Sequence, residues 1–290
     1  MIEASVLVVG AGAIGGVTAA KMTGTVRRVT VLDTNKEHVS WMRDPGLSLD
    51  ELGEERHVQI EAHTDPSELD KEFDFALITL KAPHLEAALK PLHDLGIAKT
   101  FVSLGNGLVQ DRIARIVGIQ NMIVGTVEWG ATNLGPGRLA QTTHAPFIIG
   151  EVDGSVRKRT RLLVNVLETV VEVRVTDNIR GQVWSKLLVN STFSGLGVVS
   201  GLLYQEIADD PVGRETAALI IEHLCPGEYR TSDRLRRMTE GSYAYTGHVD
   251  YLHEVTNLVQ PPLLRRYLSD PTSFCLQAGL DPSLPLERTR

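Results

Sequence analysis

Residues 5–33, SVLVVGAGAIGGVTAAKMTGTVRRVTVLD, leave a chain few ways to fold. An apolar run, Val6 to Val9, enters Gly10-Ala11-Gly12-Ala13-Ile14-Gly15. A small-residue helical segment follows, and a second β-branched run, Val29 to Leu32, ends at Asp33. Each glycine of this Gly-x-Gly-x-x-Gly spacing has a mechanical task. Gly10 permits the tight strand-to-helix turn, Gly12 lets backbone amides approach a pyrophosphate, and Gly15 lets the helix lie close to the strand. The helix N-terminus then presents unpaired N–H groups and a partial positive charge to phosphates. A glycine-rich turn in an ordinary βαβ unit would not require all three glycines at this spacing. The stretch therefore reads as a dinucleotide-binding turn, with Gly10 through Gly15 as its cofactor residues.

Asp33 sharpens that reading. A carboxylate at the end of the second strand accepts hydrogen bonds from ribose hydroxyls and repels a 2′-phosphate. Thr34-Asn35-Lys36 brings no arginine, and only Lys36 favours the phosphorylated cofactor. NAD(H) is expected as the cofactor, with NADP(H) as the alternative.

Strand and helix signals alternate beyond this unit. Phe75 to Leu80 is a continuous apolar run, as expected of a strand buried on both faces. Lys81-Ala82-Pro83-His84 is the turn after it, and Leu85 to Lys90 opens a helix. Thr100 to Leu104, Ile123 to Val127 and Phe147 to Gly150 read as further strands. A helix near Ser155 to Thr169 and a strand at Val171 to Val175 complete a doubly wound parallel sheet. Thr176-Asp177-Asn178 is the natural boundary, so the expected domains are residues 1–176 and 177–290. Strand signals vanish after it, and an all-α domain is predicted. Pro261-Pro262 and the tail from Pro282 read as loop or frayed terminus.

The 290-residue length suits two domains sharing a cleft. No apolar run approaches the roughly 20 residues needed to span a bilayer. The N-terminus leads directly into a strand without a basic segment or cleavage site. Cys225 and Cys275 have no metal-ligand spacing and read as reduced thiols. A cytoplasmic protein without a metal site or membrane partner is expected. The net charge of −7 argues against nucleic acid as a partner. Arg157, Lys158, Arg159 and Arg161 form the one basic cluster, read as a solvated helix face. The apolar helical half is compatible with a homodimer.

A second telling stretch is Trp184 to Ser194, WSKLLVNSTFS. Read as a helix, it places Lys186, Asn190 and Ser194 at i, i+4 and i+8, within about 80° of one another on one face. The remaining positions are largely apolar, so the helix is expected to be buried nearly all round. Burial lowers a lysine's pKa toward working pH, which suits an acid that protonates a developing oxyanion. A snorkelling lysine beside two polar residues that satisfy core hydrogen bonds is the plainer alternative. The neighbouring dinucleotide turn favours the functional one.

These motifs occur in a specific order. GAGAIG comes first, then Leu80-Lys81-Ala82, Gly105-Asn106-Gly107, Gly125-Thr126 and Ala131. Pro136-Gly137, Ile149-Gly150-Glu151 and WSKLLVN follow. Over about residues 5 to 200 the set resembles the ketopantoate reductase (2-dehydropantoate 2-reductase) family. The resemblance implies a Rossmann domain joined to a helical domain, with a small 2-oxo or 2-hydroxy acid bound between them. It implies that Lys186 is the catalytic lysine and Asn190 a substrate-binding asparagine. Asn106 would lie near the nicotinamide ribose and reacting carbonyl, and Lys81 in the cofactor cleft. Position supports both, since each follows the carboxyl end of a strand, where ligands bind in open α/β sheets. An αL turn residue is the other reading of Asn106, and a plain surface lysine that of Lys81.

The sequence departs from that family in three places. Asp33 stands where NADPH-dependent members carry an arginine. Ser194 replaces the second helix asparagine. The C-terminal K-P-S-M and T-E-I-D signatures cannot be found after residue 225; Ser242, Asp250 and Glu254 are the nearest candidates for the serine and glutamate they supply. The departures leave two alternatives: an NAD-dependent D-2-hydroxy acid dehydrogenase for a bulky or branched acid, and a non-catalytic dinucleotide-binding protein.

Overall fold

A computed structural model describes residues 1–69 and 72–224, with side chains to residue 221. Both cysteines, Ser242, Asp250, Glu254, Pro261-Pro262 and the tail from Pro282 lie outside the described residues. The chain begins with β1 (Ile2–Val9), α1 (Ala13–Met22), β2 (Val26–Leu32), α2 (Lys36–Arg43), β3 (Leu47–Glu51), β4 (Glu54–Val58) and β5 (Glu61–His63). It continues with β6 (Phe73–Ile78), α3 (Leu85–Asp94), β7 (Ala98–Ser103), α4 (Gln110–Val117), β8 (Met122–Val127), β9 (Ala131–Gly135) and β10 (Arg138–Gln141). Then come β11 (Phe147–Gly150), α5 (Lys158–Leu167), β12 (Val173–Val175) and α6 (Ile179–Val189). The last described helices are α7 (Gly195–Ser200), α8 (Tyr204–Asp209) and α9 (Pro211–Leu224).

Eight strands form one sheet in the order β12-β11-β8-β7-β6-β1-β2-β5. The six from β5 to β8 run parallel, whereas β11 lies antiparallel to β8 and parallel to β12. From β1 the chain winds outward through β2 and β5, then crosses back and winds the other way through β6, β7 and β8. The order reverses between β1 and β6, which is the switch point where open α/β sheets bind ligands. This is the Rossmann-type doubly wound arrangement.

The strands alternate between two cores. Val6, Val8, Val29 and Val31 belong to one buried cluster together with Val17 of α1 and Leu163 of α5. Leu7, Val9 and Leu32 belong to the other, with Leu85, Leu89 and Leu92 of α3 and Ile113 of α4. Both faces are covered, so β1 reads as an unbroken apolar run rather than as an alternation.

A second sheet, β4-β3-β10-β9, has no counterpart in the sequence expectation. Its strands are short, β3 and β4 are charged, and nearly every residue of β4 is exposed, so no strand periodicity rises above the loop signal. The β3–β4 turn sits at Leu52 (φ 56) and Gly53 (φ 100), the double positive φ of a tight hairpin. The sheet packs on α1. Leu139 fills the space a Cβ on Gly16 would need, and the nearly buried Lys21 ammonium donates to Glu51 and, at 3.0 Å, to Gln141.

The chain divides into two compact units, one ending at Val183 and one beginning at Trp184. Between residues 177 and 224 all the regular structure described is helical, with a break at residues 201–203. Val189, Phe193, Ile207 and Ala217 form a small core there, with Phe193 against the Tyr204 ring.

Candidate functional site

The first unit brings three loops together at the carboxyl ends of β1, β6 and β7. Gly10 takes φ +91, and a Cβ there would lie 2.7 Å from Leu80, so the turn after β1 rests on the segment after β6. The Thr79 hydroxyl donates to the Gly10 carbonyl and, at 3.1 Å, to that of Val9. Gly105, after β7, faces the Leu80 carbonyl in turn. Gly15 is where α1 crosses β1: a Cβ would sit 2.0 Å from the Gly10 oxygen. Gly12 is different. It caps α1 in an extended conformation, and a Cβ there would meet nothing within 4 Å. No side chain caps α1 and its first turn carries no acidic residue, so its N-terminal dipole is left for an anion. The residues present therefore fit a pyrophosphate at this turn.

Asp33 follows β2, half-buried. One carboxylate oxygen accepts the Ala11 N–H at 2.7 Å, and the other accepts the Asn35 N–H at 2.8 Å. Each oxygen keeps a lone pair for a ribose hydroxyl. Lys36 is exposed on the first turn of α2. Lys81 is exposed and opens the short turn leading to α3, its carbonyl accepting the His84 N–H at 3.0 Å. Asn106 is exposed in the loop after β7. Its φ is not positive, so the αL reading fails; Gly107 (φ +81) takes that conformation instead.

His38 was not singled out from the sequence. It is buried on α2, with Nε2 2.8 Å from the Ala11 carbonyl, while Nδ1 accepts the Gly137 N–H at 2.8 Å. Its one signal is spacing, since His38, Val39 and Met42 share the buried face of a short helix.

The second unit carries the other expected residues on one helical stretch. Lys186 lies in α6, Asn190 opens a π-helical turn at Asn190–Ser194, and Ser194 ends it. The expectation of burial nearly all round is corrected. Trp184, Ser185, Leu188, Val189, Thr192 and Phe193 are buried, but Lys186 and Asn190 are half-buried and Ser194 is exposed. The wider π turn ends at Ser194, the exposed one of the three. Its hydroxyl bonds that of Tyr204. A lysine tuned by complete burial is not what the helix holds.

The basic cluster is corrected as well. Glu151 is fully buried and receives Arg157 at 2.9 Å, both sides of the Arg159 guanidinium, and the Thr160 hydroxyl at 2.8 Å. Burial alone would raise its pKa, but the bonds from Arg159 and Thr160 and the two guanidinium charges hold it below the ordinary glutamate value. Arg157, Lys158 and Arg161 are still exposed to solvent, and Arg159 is half-buried. Among the described residues no group of histidine, cysteine, aspartate and glutamate is placed to hold a metal ion. No helix among them is long and apolar enough to cross a membrane.

Comparison with known proteins bears on this arrangement. The 2-dehydropantoate 2-reductase of Mesorhizobium japonicum is 27% identical over 248 residues, 77% of this chain and 76% of that protein. The 2-dehydropantoate 2-reductase of Lactococcus lactis is 26% identical over 66% of this chain, which spans 62% of that relative's length. Among solved structures, D-mandelate dehydrogenase with NADH and anilino(oxo)acetate superposes with a TM-score of 0.70 at 19% identity, covering 89% of this chain and 80% of that one. A PanE/ApbA family ketopantoate reductase from Ralstonia eutropha gives 0.70 at 20% identity, over 94% and 96%. These structures share the fold. The family model for ketopantoate reductase PanE/ApbA matches residues 6–154, from β1 to just past β11, and the chain belongs to that family.

Proposed function

We propose that this chain reduces a small 2-oxo acid to the 2-hydroxy acid with NADH, and oxidises the hydroxy acid in the reverse direction. The observation that carries the reading is the open turn at Gly12, at the switch point and on an uncapped helix N-terminus, with the Asp33 carboxylate beside it. Gly10 to Gly15 would hold the pyrophosphate and Asp33 the adenosine ribose, which disfavours a 2′-phosphate. Lys81 would attract phosphate or substrate carboxylate, and Asn106 would bond the nicotinamide ribose or the reacting carbonyl. The functional boundary we assign lies at residues 176/177, between β12 and α6.

When bound, the dinucleotide supplies the hydride that adds to the carbonyl carbon. Lys186, as its ammonium, gives one proton to the carbonyl oxygen, and as the free amine takes the hydroxyl proton in the reverse direction. Asn190 holds a polar substrate group with its amide, and Ser194 adds a hydroxyl. Ketopantoate is the first substrate to try, on the strength of the family.

A second reading, an NAD-dependent D-2-hydroxy acid dehydrogenase for a bulky or branched acid, draws on Asp33 and Ser194. Asp33 departs from the NADPH-dependent pattern, and Ser194 from the helix asparagine usual in pantoate-forming enzymes. Steady-state kcat/KM with ketopantoate and with branched and aromatic 2-oxo acids, each with NADH and NADPH, tests both readings. Turnover that favours NADH supports the proposal, and the preferred acid decides between the two substrates. A clear NADPH preference overturns the cofactor assignment, and turnover of no acid overturns the activity.

A further inference from the structure

We infer that His38 is a positioning residue that aims the Gly12 amide at the cofactor pyrophosphate; the inference rests on the dinucleotide reading of the Gly10–Gly15 turn. Three observations carry it. First, the tautomer follows from the partners. Gly137 donates its N–H to Nδ1 at 2.8 Å, so the ring proton sits on Nε2 and is donated to the Ala11 carbonyl, also at 2.8 Å. Second, the Ala11–Gly12 peptide is trans, since the cis bond among the described residues is Asp44-Pro45. In a trans peptide the C=O and the following N–H point in opposite directions. Holding the Ala11 oxygen toward the buried ring therefore turns the Gly12 N–H away from it. Third, the side of Gly12 where a Cβ would stand is open.

The Ala11 residue is thus held at both ends, its N–H by Asp33 and its C=O by His38. His38 is itself held from outside the βαβ unit. The turn between β9 and β10 reaches it only because Gly137 comes close to α2; a Cβ there would lie 2.5 Å from that of Trp41. The Gly137 carbonyl accepts the Ser48 N–H of β3 at 2.8 Å, which fixes that turn in the second sheet. The second sheet therefore acts, through one imidazole, on the orientation of a single amide in the phosphate turn. Without the ring, the Ala11–Gly12 peptide is free to rotate and present its carbonyl to an anion.

Two substitutions separate the two ring contacts. Glutamine places an N–H where Nε2 stands, and asparagine places an oxygen where Nδ1 stands. The full-length protein and its His38→Gln and His38→Asn variants are titrated with NADH, and separately with ADP, while Tm is recorded for each. The inference expects His38→Gln to keep both affinities within about threefold. It expects His38→Asn, at a comparable Tm, to lose about tenfold or more for both ligands. Equal affinities in the two variants overturn it. If the unmutated protein binds neither ligand, the dinucleotide reading itself falls and takes the inference with it. A measurement on the unmutated chain guards against a variant that does not fold: ¹⁵N-labelled histidine should report His38 as the Nε2–H tautomer, and an Nδ1–H signal overturns the clamp.

Discussion

Gly12 and Gly15 sit three residues apart in one motif and are glycines for opposite reasons. A Cβ at Gly15 would lie 2.0 Å from the Gly10 oxygen, inside the fold; at Gly12 it would meet no protein atom. Gly15→Ala should therefore fail to fold or lose several kcal/mol, since backbone must move. Gly12→Ala should cost no more than about 1 kcal/mol, as an N-cap glycine replaced by alanine, yet weaken NADH about tenfold. Urea denaturation and NADH titration of the pair check this, and similar losses of stability in both would contradict it. Asp33 gives a second case. Because its carboxylate accepts the Ala11 N–H, replacing it with arginine removes an anchor of the turn along with the ribose acceptor. Asp33→Arg should lose affinity for NADH and NADPH alike; a clean gain of NADPH binding would show that the anchor is dispensable. The spacing of the glycines was legible in the sequence because it is local. His38 was not, since its partners lie 27 and 99 residues away.

Among the elements, strands buried on both faces announced themselves and, apart from β12, half-exposed ones did not. β1, β6, β8 and β11 are largely apolar runs, and β2 and β7 carry their buried residues in their second halves. β3 and β4 carry charge on short strands, and the pairing of β3 with β10 spans most of a hundred residues, beyond any periodicity. The helix bearing Lys186 was legible in type but not in pitch, because nothing in NSTFS signals a π turn. Composition likewise misled at Arg157 and Arg159, which looked like a solvated face until Glu151 was placed beneath them. Removing that buried carboxylate takes away the group both guanidiniums share, leaving Arg157 with Asp153 and Arg159 with the Gln120 and Met122 carbonyls. Glu151→Ala should cost about 3 kcal/mol in a denaturant titration, and a loss under about 1 kcal/mol would mean the network is ornamental to stability.

The whole molecule depends on several such carboxylates. Burial tends to raise Glu51, Glu61, Asp74 and Glu151, and in each case the bonds and charges of neighbouring groups outweigh it. All four are held below their ordinary values in the folded state, so the unfolded chain takes up protons first as pH falls. Their contribution is complete above the ordinary carboxylate range and is lost as pH drops through the folded values. Stability measured by denaturant should be level from pH 7 to about pH 5 and fall steeply below about pH 4. A flat profile to pH 3 would contradict this.

Lys186, in the second unit, is the residue on which the proposed chemistry turns. The most direct measurement is the turnover of NADH with the best 2-oxo acid by the unmutated protein and by Lys186→Ala, with NADH affinity recorded for both. A fall in kcat of about 10²-fold to 10⁴-fold or more is expected, at unchanged NADH affinity. Near-normal kcat in the variant would contradict it.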